Sequence, residues 1–323
     1  MRILFWGTPR FAVPSLRALD DEGFDVAGVV TRPDRPAGRG RKLTPSPVKV
    51  VAEEMGVPVL TPDRPRGDAF MAEVDALAPD LSVVVAYGHI LRLEVLELPP
   101  MGSINVHASL LPELRGAAPI NWAIARGYDI TGITVMRMVE AMDAGPILHQ
   151  VAEPILEDET ASELQVRLSE LGAAALVEAL TLLMAGDLEE VEQDHERATY
   201  APKVDRATAR IDWSRPAREI AWHVRGMDAV PGAWSELGGV SVKLFRPAVE
   251  PAGGEDAPGG GSMETGSEAA PGTILVADPD RGLVVAAGEG RVRFLEVQPP
   301  GRKRMDVTAW LNGRGAAAGQ RFE

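Results

Sequence analysis

Short apolar runs alternate with helix-like stretches through the first half of the chain. Ile3–Trp6 is wholly apolar and ends in Gly7-Thr8-Pro9, and Phe11–Leu19 then carries helical periodicity. Val26–Thr31 and Leu81–Ala86 are further strand candidates, and Pro47–Gly56 reads as a helix between them. Runs that stay apolar on successive residues suit parallel strands covered on both faces. Ile130–Met138 and Pro146–Ile155 follow one another as strands with no helix between. The pattern predicts an α/β fold with helices on both faces of a sheet that ends in a hairpin-like arrangement.

A long helix closes this half. Thr160-Ala161-Ser162-Glu163 has the spacing of a capping box, in which each end residue satisfies the other's backbone N–H. Leu164, Leu168, Leu171, Ala175, Ala179 and Leu182 follow at helical spacing, and Gly186 is a usual stop. The polar stretch beyond it has no periodicity and reads as a linker, 188–207. It separates a first domain, 1–187, from a second, 208–323. In the second, Ser241–Phe245, Gly272–Val276, Gly282–Ala286 and Arg291–Val297 are short β-rich segments between turn residues. They predict a small barrel or sandwich of OB type. Residues 250–271 are rich in Gly, Pro and acidic residues, the composition of a flexible insertion between strands.

Composition narrows the function classes. The 323 residues suit two domains, and 45% apolar with 25% charged residues suits a folded core. A net charge of −14 argues against a generic nucleic-acid coat, since phosphate binding needs local positive charge. There is no cysteine, which excludes disulfides, thiolate nucleophiles, iron–sulfur clusters and Cys-ligated zinc. The start, Met1 to Gly7, has too short an apolar run for a signal peptide. No apolar stretch approaches the roughly 18 residues of a membrane span, so a cytoplasmic chain with no membrane partner is expected; the sequence leaves the oligomeric state open, and a monomer is the expectation adopted.

Phosphate-loop, dinucleotide-loop, zincin and nucleophile-elbow motifs are absent, and no two histidines have metal-ligand spacing, so no metal is expected. His149, His195 and His223 lie among ordinary surface or core residues. His89, after Tyr87-Gly88 at a strand end, is placed to line a cleft. His107 stands out through its company, Ile104-Asn105-Val106-His107-Ala108-Ser109-Leu110-Leu111-Pro112. On an extended segment Asn105 and His107 point to one side. An amide donates to a developing oxyanion, and an imidazole beside it moves protons near neutrality. Alternatively, the pair only satisfies local backbone. Asp143, in the turn Met142-Asp143-Ala144-Gly145-Pro146, either bonds its own turn or reaches His107 and orients the ring.

These motifs together resemble the 10-formyltetrahydrofolate-dependent formyltransferase family. The resemblance rests on Asn105-x-His107 with Ser109-Leu110-Leu111-Pro112, on Arg115-Gly116-x-x-Pro119 and on Asp143-x-Gly145. The stretch Arg32–Leu43 with Pro45–Lys49, then Gly7-Thr8-Pro9 with Phe11-Ala12, Val84–Gly88 and Ala209–Trp213, resembles the branch acting on initiator methionyl-tRNA. It departs from the common pattern at Arg92, where Pro is frequent, and at Ala144, where Thr is. The resemblance implies a Rossmann-like formyltransferase domain joined to a C-terminal OB-like β-barrel domain. It implies formyl transfer from 10-formyltetrahydrofolate to the methionine α-amino group on that tRNA. Asn105, His107 and Asp143 are then the catalytic trio, and Ser109, Leu110, Leu111, Pro112, Tyr87 and Gly88 are folate contacts.

Charge is segregated in a way that fits such a partner. Arg32 to Lys49 carries net +5, which leaves −19 on the rest, and Lys203–Arg225 and Arg291–Arg304 carry +3 and +4. Arg35, Arg39, Arg41, Lys42, Lys203 and Arg206 are the expected tRNA contacts, placed to meet phosphates. Other readings are a relative that formylates an amino sugar or glycinamide ribotide, a formyl-folate hydrolase, or a non-catalytic RNA-binding protein on this scaffold. The basic segment and the second domain favour tRNA over the other enzyme readings, and the trio disfavours the non-catalytic one.

Overall fold

The computed structural model of the chain describes residues 1–37, 40, 42–250 and 269–323. Arg39 and Arg41, and most of the 250–271 insertion, lie outside the described residues. The chain forms two compact units, one of residues 1–119, 130–154 and 165–202, the other of 120–129, 155–164 and 203–323.

In chain order the first part runs β1 (Arg2–Gly7), α1 (Val13–Asp21), β2 (Asp25–Val30), β3 (Arg35–Ala37), β4 (Lys42–Thr44), α2 (Pro47–Glu54), β5 (Val59–Leu60), α3 (Asp68–Ala76), β6 (Leu81–Val85) and α4 (Leu93–Leu96). It continues β7 (Ser103–His107), α5 (Pro119–Ala125), β8 (Ile130–Arg137), β9 (Ile147–Pro154) and α6 (Ala161–Ala185). Seven strands form one sheet in the order β5-β2-β1-β6-β7-β8-β9. Pairing is parallel from β5 to β7 and antiparallel for β7/β8 and β8/β9. The chain winds to opposite sides of β1, so the carboxyl ends of β1, β6 and β7 meet at the crevice where such sheets bind ligands.

The strand candidates are all present, because β1 and β6 are apolar on both faces and are buried. Trp6 packs edge-on against Phe70 and Tyr87, and its indole N–H donates to Ser82 Oγ at 3.0 Å, the partner a buried indole needs. The helix read from Phe11 opens instead with a single 3₁₀ turn, Arg10–Ala12, and becomes α-helical at Val13 with Pro14 in its first turn. Ser46 caps α2 by accepting from Lys49 N, with Pro47 at the first helical position.

Helix α6 has the capping box read from the sequence: Glu163 N donates to Thr160 Oγ1 at 3.3 Å and Thr160 N to Glu163 Oε2 at 2.9 Å. It also corrects one expectation. With 25 residues it is long and apolar enough, by length and composition, to cross a bilayer. Its apolar residues form a stripe, however: Leu164, Leu168, Ala175, Leu176, Ala179 and Leu180 are buried, while Glu170 and Glu178 are on the other face. Gly172 lets it approach the sheet, since a Cβ there would stand 3.2 Å from Val106 and 3.5 Å from Ile133. This is the amphipathicity of a core helix.

The second part comprises α7 (Ala217–Gly226), β10 (Trp234–Leu237), β11 (Val240–Glu250), β12 (Ile274–Asp278), β13 (Gly282–Ala286), β14 (Arg291–Gln298), β15 (Met305–Asp306) and α8 (Val307–Asn312). Its sheet is antiparallel in the order β10-β11-β14-β13-β12, with β15 on β14, an open curled half-barrel. Trp213 stacks on Phe322 and meets Phe294 edge-on at the centre of this core, its indole N–H donating to Ser235 Oγ at 2.9 Å.

Candidate active site

Strand β7 delivers the central pair. Val106 faces α6, so Asn105 and His107, one residue to either side, turn to the opposite face. His107 is only 6% exposed. Its Nε2 lies 3.1 Å from Leu114 O, and its Nδ1 faces Asp143 Oδ2 at 3.8 Å, an ion-pair distance rather than a hydrogen bond. The turn of Asp143 does not absorb its own carboxylate. Oδ2 instead accepts from Gly116 N at 2.7 Å, while Asp143 itself sits at φ +52°, which a short polar side chain tolerates. Asn105 is half-buried, and its amide has no hydrogen-bond partner among the described residues. The three residues picked out by spacing are thus set around one strand end, with a free amide donor beside a buried, oriented imidazole.

The loop after His107 is tied down by one hydroxyl. Thr134 on β8, fully buried, donates to Ser109 O at 2.6 Å and accepts from Leu111 N at 3.1 Å and Gln150 Nε2 at 2.9 Å. Gln150 also donates to Leu111 O. Of the expected folate contacts here, Ser109 is buried and its hydroxyl is committed to Glu113 O at 2.6 Å, and Leu111 is buried, while Leu110 and Pro112 are half-buried.

Tyr87 and Gly88 end β6. The Tyr87 ring is 1% exposed in the core against Trp6, so only its backbone, which accepts from Thr8 Oγ1, faces the strand end; Gly88 is exposed at φ +86°. Burial pushes the Tyr87 hydroxyl up to about 12, against the opposing charge of Arg32. His89 is half-buried and held below its ordinary value by burial, then by Arg32 and Arg35. The buried Nε of Arg32 and hydroxyl of Tyr87 have no partner among the described residues.

The basic segment is a ribbon: β3 and β4 pair antiparallel, Arg35 opposite Thr44 and Ala37 opposite Lys42. Arg35 and Lys42 are exposed on it, whereas Lys49 is spent on Asp34 at 2.9 Å. Arg39 and Arg41 fall outside the described residues. In the second unit Lys203 and Arg206 are exposed, Arg206 lying over the Trp234 ring.

Sequence reading missed the residues behind the site. The stretch read as a linker is bonded within the first unit: Val191 pairs with Ile147, and Thr199 and Ala201 with Arg115. Gln193 from the same stretch reaches the Asp143 turn. Gly116 is held so close to this segment that a Cβ would stand 2.8 Å from Ala201 O.

Residues 1–180 match the model of the formyl transferase family and 203–315 that of its C-terminal domain, and the chain belongs to this family. Its relatives include the methionyl-tRNA formyltransferase of Bacillus cytotoxicus, 45% identical over 97% of this chain and 96% of the relative. The methionyl-tRNA formyltransferase of Symbiobacterium thermophilum is 46% identical over 100% of this chain and 95% of its own length. Among solved structures, HypX from Aquifex aeolicus superposes with a TM-score of 0.64 at 20% identity, covering 98% of this chain and 48% of that one. The present chain thus spans about half of HypX. The sugar 3N-formyl transferase WlaRD gives 0.63 at 16% identity, covering 94% and 99%. Both structural likenesses are of fold.

Proposed function

We propose that the protein transfers the formyl group of 10-formyltetrahydrofolate to the α-amino group of methionine on initiator methionyl-tRNA. The observation that carries this is the buried His107 ring facing half-buried Asp143, beside an Asn105 amide with no partner among the described residues, in a chain whose full-length relatives are methionyl-tRNA formyltransferases. The site fits the formyl donor in its donor set. Asn105 offers an uncommitted N–H to an acyl oxygen, and half-buried Leu110 and Pro112 offer apolar edges to a ring. When bound, 10-formyltetrahydrofolate supplies an activated formamide carbon.

The chain's own residues then have separable tasks. Asn105 donates to the formyl oxygen as that atom gains negative charge, and such a contact accelerates only if it strengthens at that point. His107 takes the proton that the attacking amine loses and returns one to the departing N10, so the new C–N bond forms as the old one breaks with protons balanced. Asp143, held by Gly116 N, faces Nδ1 and orients the ring for that transfer. In this reading residues 1–187 form the catalytic domain, joined by the bonded stretch up to 202, and 208–323 form the tRNA-binding domain. Arg35, Arg39, Arg41, Lys42, Lys203 and Arg206 meet tRNA phosphates, and the working state is a cytoplasmic monomer.

Asn105→Ala and His107→Ala should each lower formyl transfer by ~10²-fold or more, the usual cost of removing an oxyanion donor or a general base. A near-normal rate for either, in protein that melts like wild type, overturns the assignment.

A further inference from the structure

We infer that Gln193 is a positioning residue for Asp143, and that Arg115 fixes the direction in which its amide points. The inference rests on the reading of His107 and Asp143 as the working pair. Gln193 is 5% exposed and lies 50 residues along the chain from Asp143. Its Nε2 donates to Asp143 O at 3.0 Å and to Gly145 O at 2.7 Å, the two carbonyls that bracket the turn. Its Oε1 accepts from Arg115 Nε at 3.1 Å and Nη2 at 2.5 Å.

A primary amide has two N–H donors and two acceptor lone pairs, and all four are used here. The two ends are not interchangeable. A guanidinium only donates, so the oxygen must face Arg115, and the N–H₂ must then face the carbonyls. A reversed amide would set donor against donor and oxygen against two oxygens. Arg115 is itself 5% exposed and pairs with no acidic side chain among the described residues. Its Nη2 also contacts His195 Nδ1 at 2.9 Å, which accepts, and its backbone is bonded to Thr199 and Ala201. A fixed arginine therefore sets an amide, and the amide sets a turn whose Asp143 stands at φ +52°.

This is more than packing, because the turn carries the carboxylate that faces His107. Beside the local turn bond from Ala144 N to Ala141 O at 3.3 Å, two hydrogen bonds from a residue 50 positions away hold the carbonyls of Asp143 and Gly145. The remaining tie, Gly116 N to Asp143 Oδ2, belongs to the residue next to Arg115. Both the side chain and the main chain of Asp143 are thus held from one short stretch and its partners.

The decisive variant is Gln193→Glu. It keeps the shape and pairs with Arg115 at least as well, but it has no N–H for the two carbonyls. It should lower kcat by ~10-fold or more, as misplacing a reacting group does, with KM for 10-formyltetrahydrofolate and for methionyl-tRNA within about twofold. Arg115→Lys, which keeps the charge but loses the two-pronged fork, should show the same split if Gln193→Glu does not fold. Turnover within threefold of wild type for whichever variant folds, or a loss carried by KM instead, overturns the inference. His107→Ala in the same assay separates the two levels. If it is inactive while Gln193→Glu turns over normally, only the positioning role fails; if it remains active, the catalytic reading fails with it.

Discussion

Gly145 offers a perturbation whose size can be read from the structure. A Cβ on Gly145 would lie 2.1 Å from Arg137 O and 2.9 Å from Arg137 C. The φ of Gly145 is not in the left-handed region, so Gly145→Ala is a problem of space alone. Ordinary carbon–oxygen contact requires the turn to retreat by ~1 Å, since packed interiors have no slack to absorb it. The neighbouring bond from Arg137 N to Pro146 O, now 2.9 Å, would stretch with it. So would the 2.7 Å bond from Gly116 N to Asp143 Oδ2, and the carboxylate would leave His107. A shift of that order in a reacting group costs about 10²-fold in rate. Overpacking costs about 1–3 kcal/mol of stability. Initial rates of formyl transfer at saturating substrates, with thermal melting in parallel, measure both. A kcat within threefold of wild type in Gly145→Ala would refute the claim that this turn sets the geometry of the pair.

Thr134→Val removes the hydroxyl that joins Ser109, Leu111 and Gln150, leaving buried groups unpaired at a cost of about 1–3 kcal/mol. It should lower the melting temperature and raise KM for the formyl donor; neither change would mean the loop is held elsewhere. Lys42→Ala on the exposed ribbon should weaken use of tRNA while donor KM stays put, and reduce the salt dependence of the reaction. Equal loss for both substrates would count against a tRNA role. His223 on α7 is held below its ordinary value by burial, with Arg215 adding to it, and its buried Nε2 has no partner among the described residues. The folded protein therefore resists a proton that the unfolded chain takes up, so this contribution is complete above pH ~6.5 and is lost as pH falls below it. His223→Gln should flatten the decline in melting temperature between pH 7 and 5, and an unchanged decline would show that other groups cause it.

The sheet was legible because burial leaves a periodic trace. Ile3–Trp6 is apolar at every position and Leu81–Val85 at every position but Ser82, which only strands covered on both faces require. The capping box at Thr160 and Glu163 was visible for the same local reason. Asn105 and His107 were found because two chemistry-bearing residues two apart on a strand share a side. The supports of the site left no such trace. Gln193 sits in an aperiodic polar stretch, and its side-chain bonds go to residues 48 to 78 positions away. Tyr87 was expected as a folate contact from the family resemblance. The strand order sets β6 beside β1, where Trp6 meets the ring edge-on and the ring is buried. Periodicity reports that a position is buried; it does not report what stands opposite.

Transfer itself is tested most directly by incubating the protein with 10-formyltetrahydrofolate and initiator tRNA charged with methionine, then analysing the aminoacyl ester. Formyl-methionyl-tRNA should accumulate with loss of the formyl donor in equal amount, and His107→Ala should abolish both. Release of formate without formylated tRNA, or formyl transfer to an amino sugar or glycinamide ribotide in preference to the charged tRNA, would contradict the proposed function.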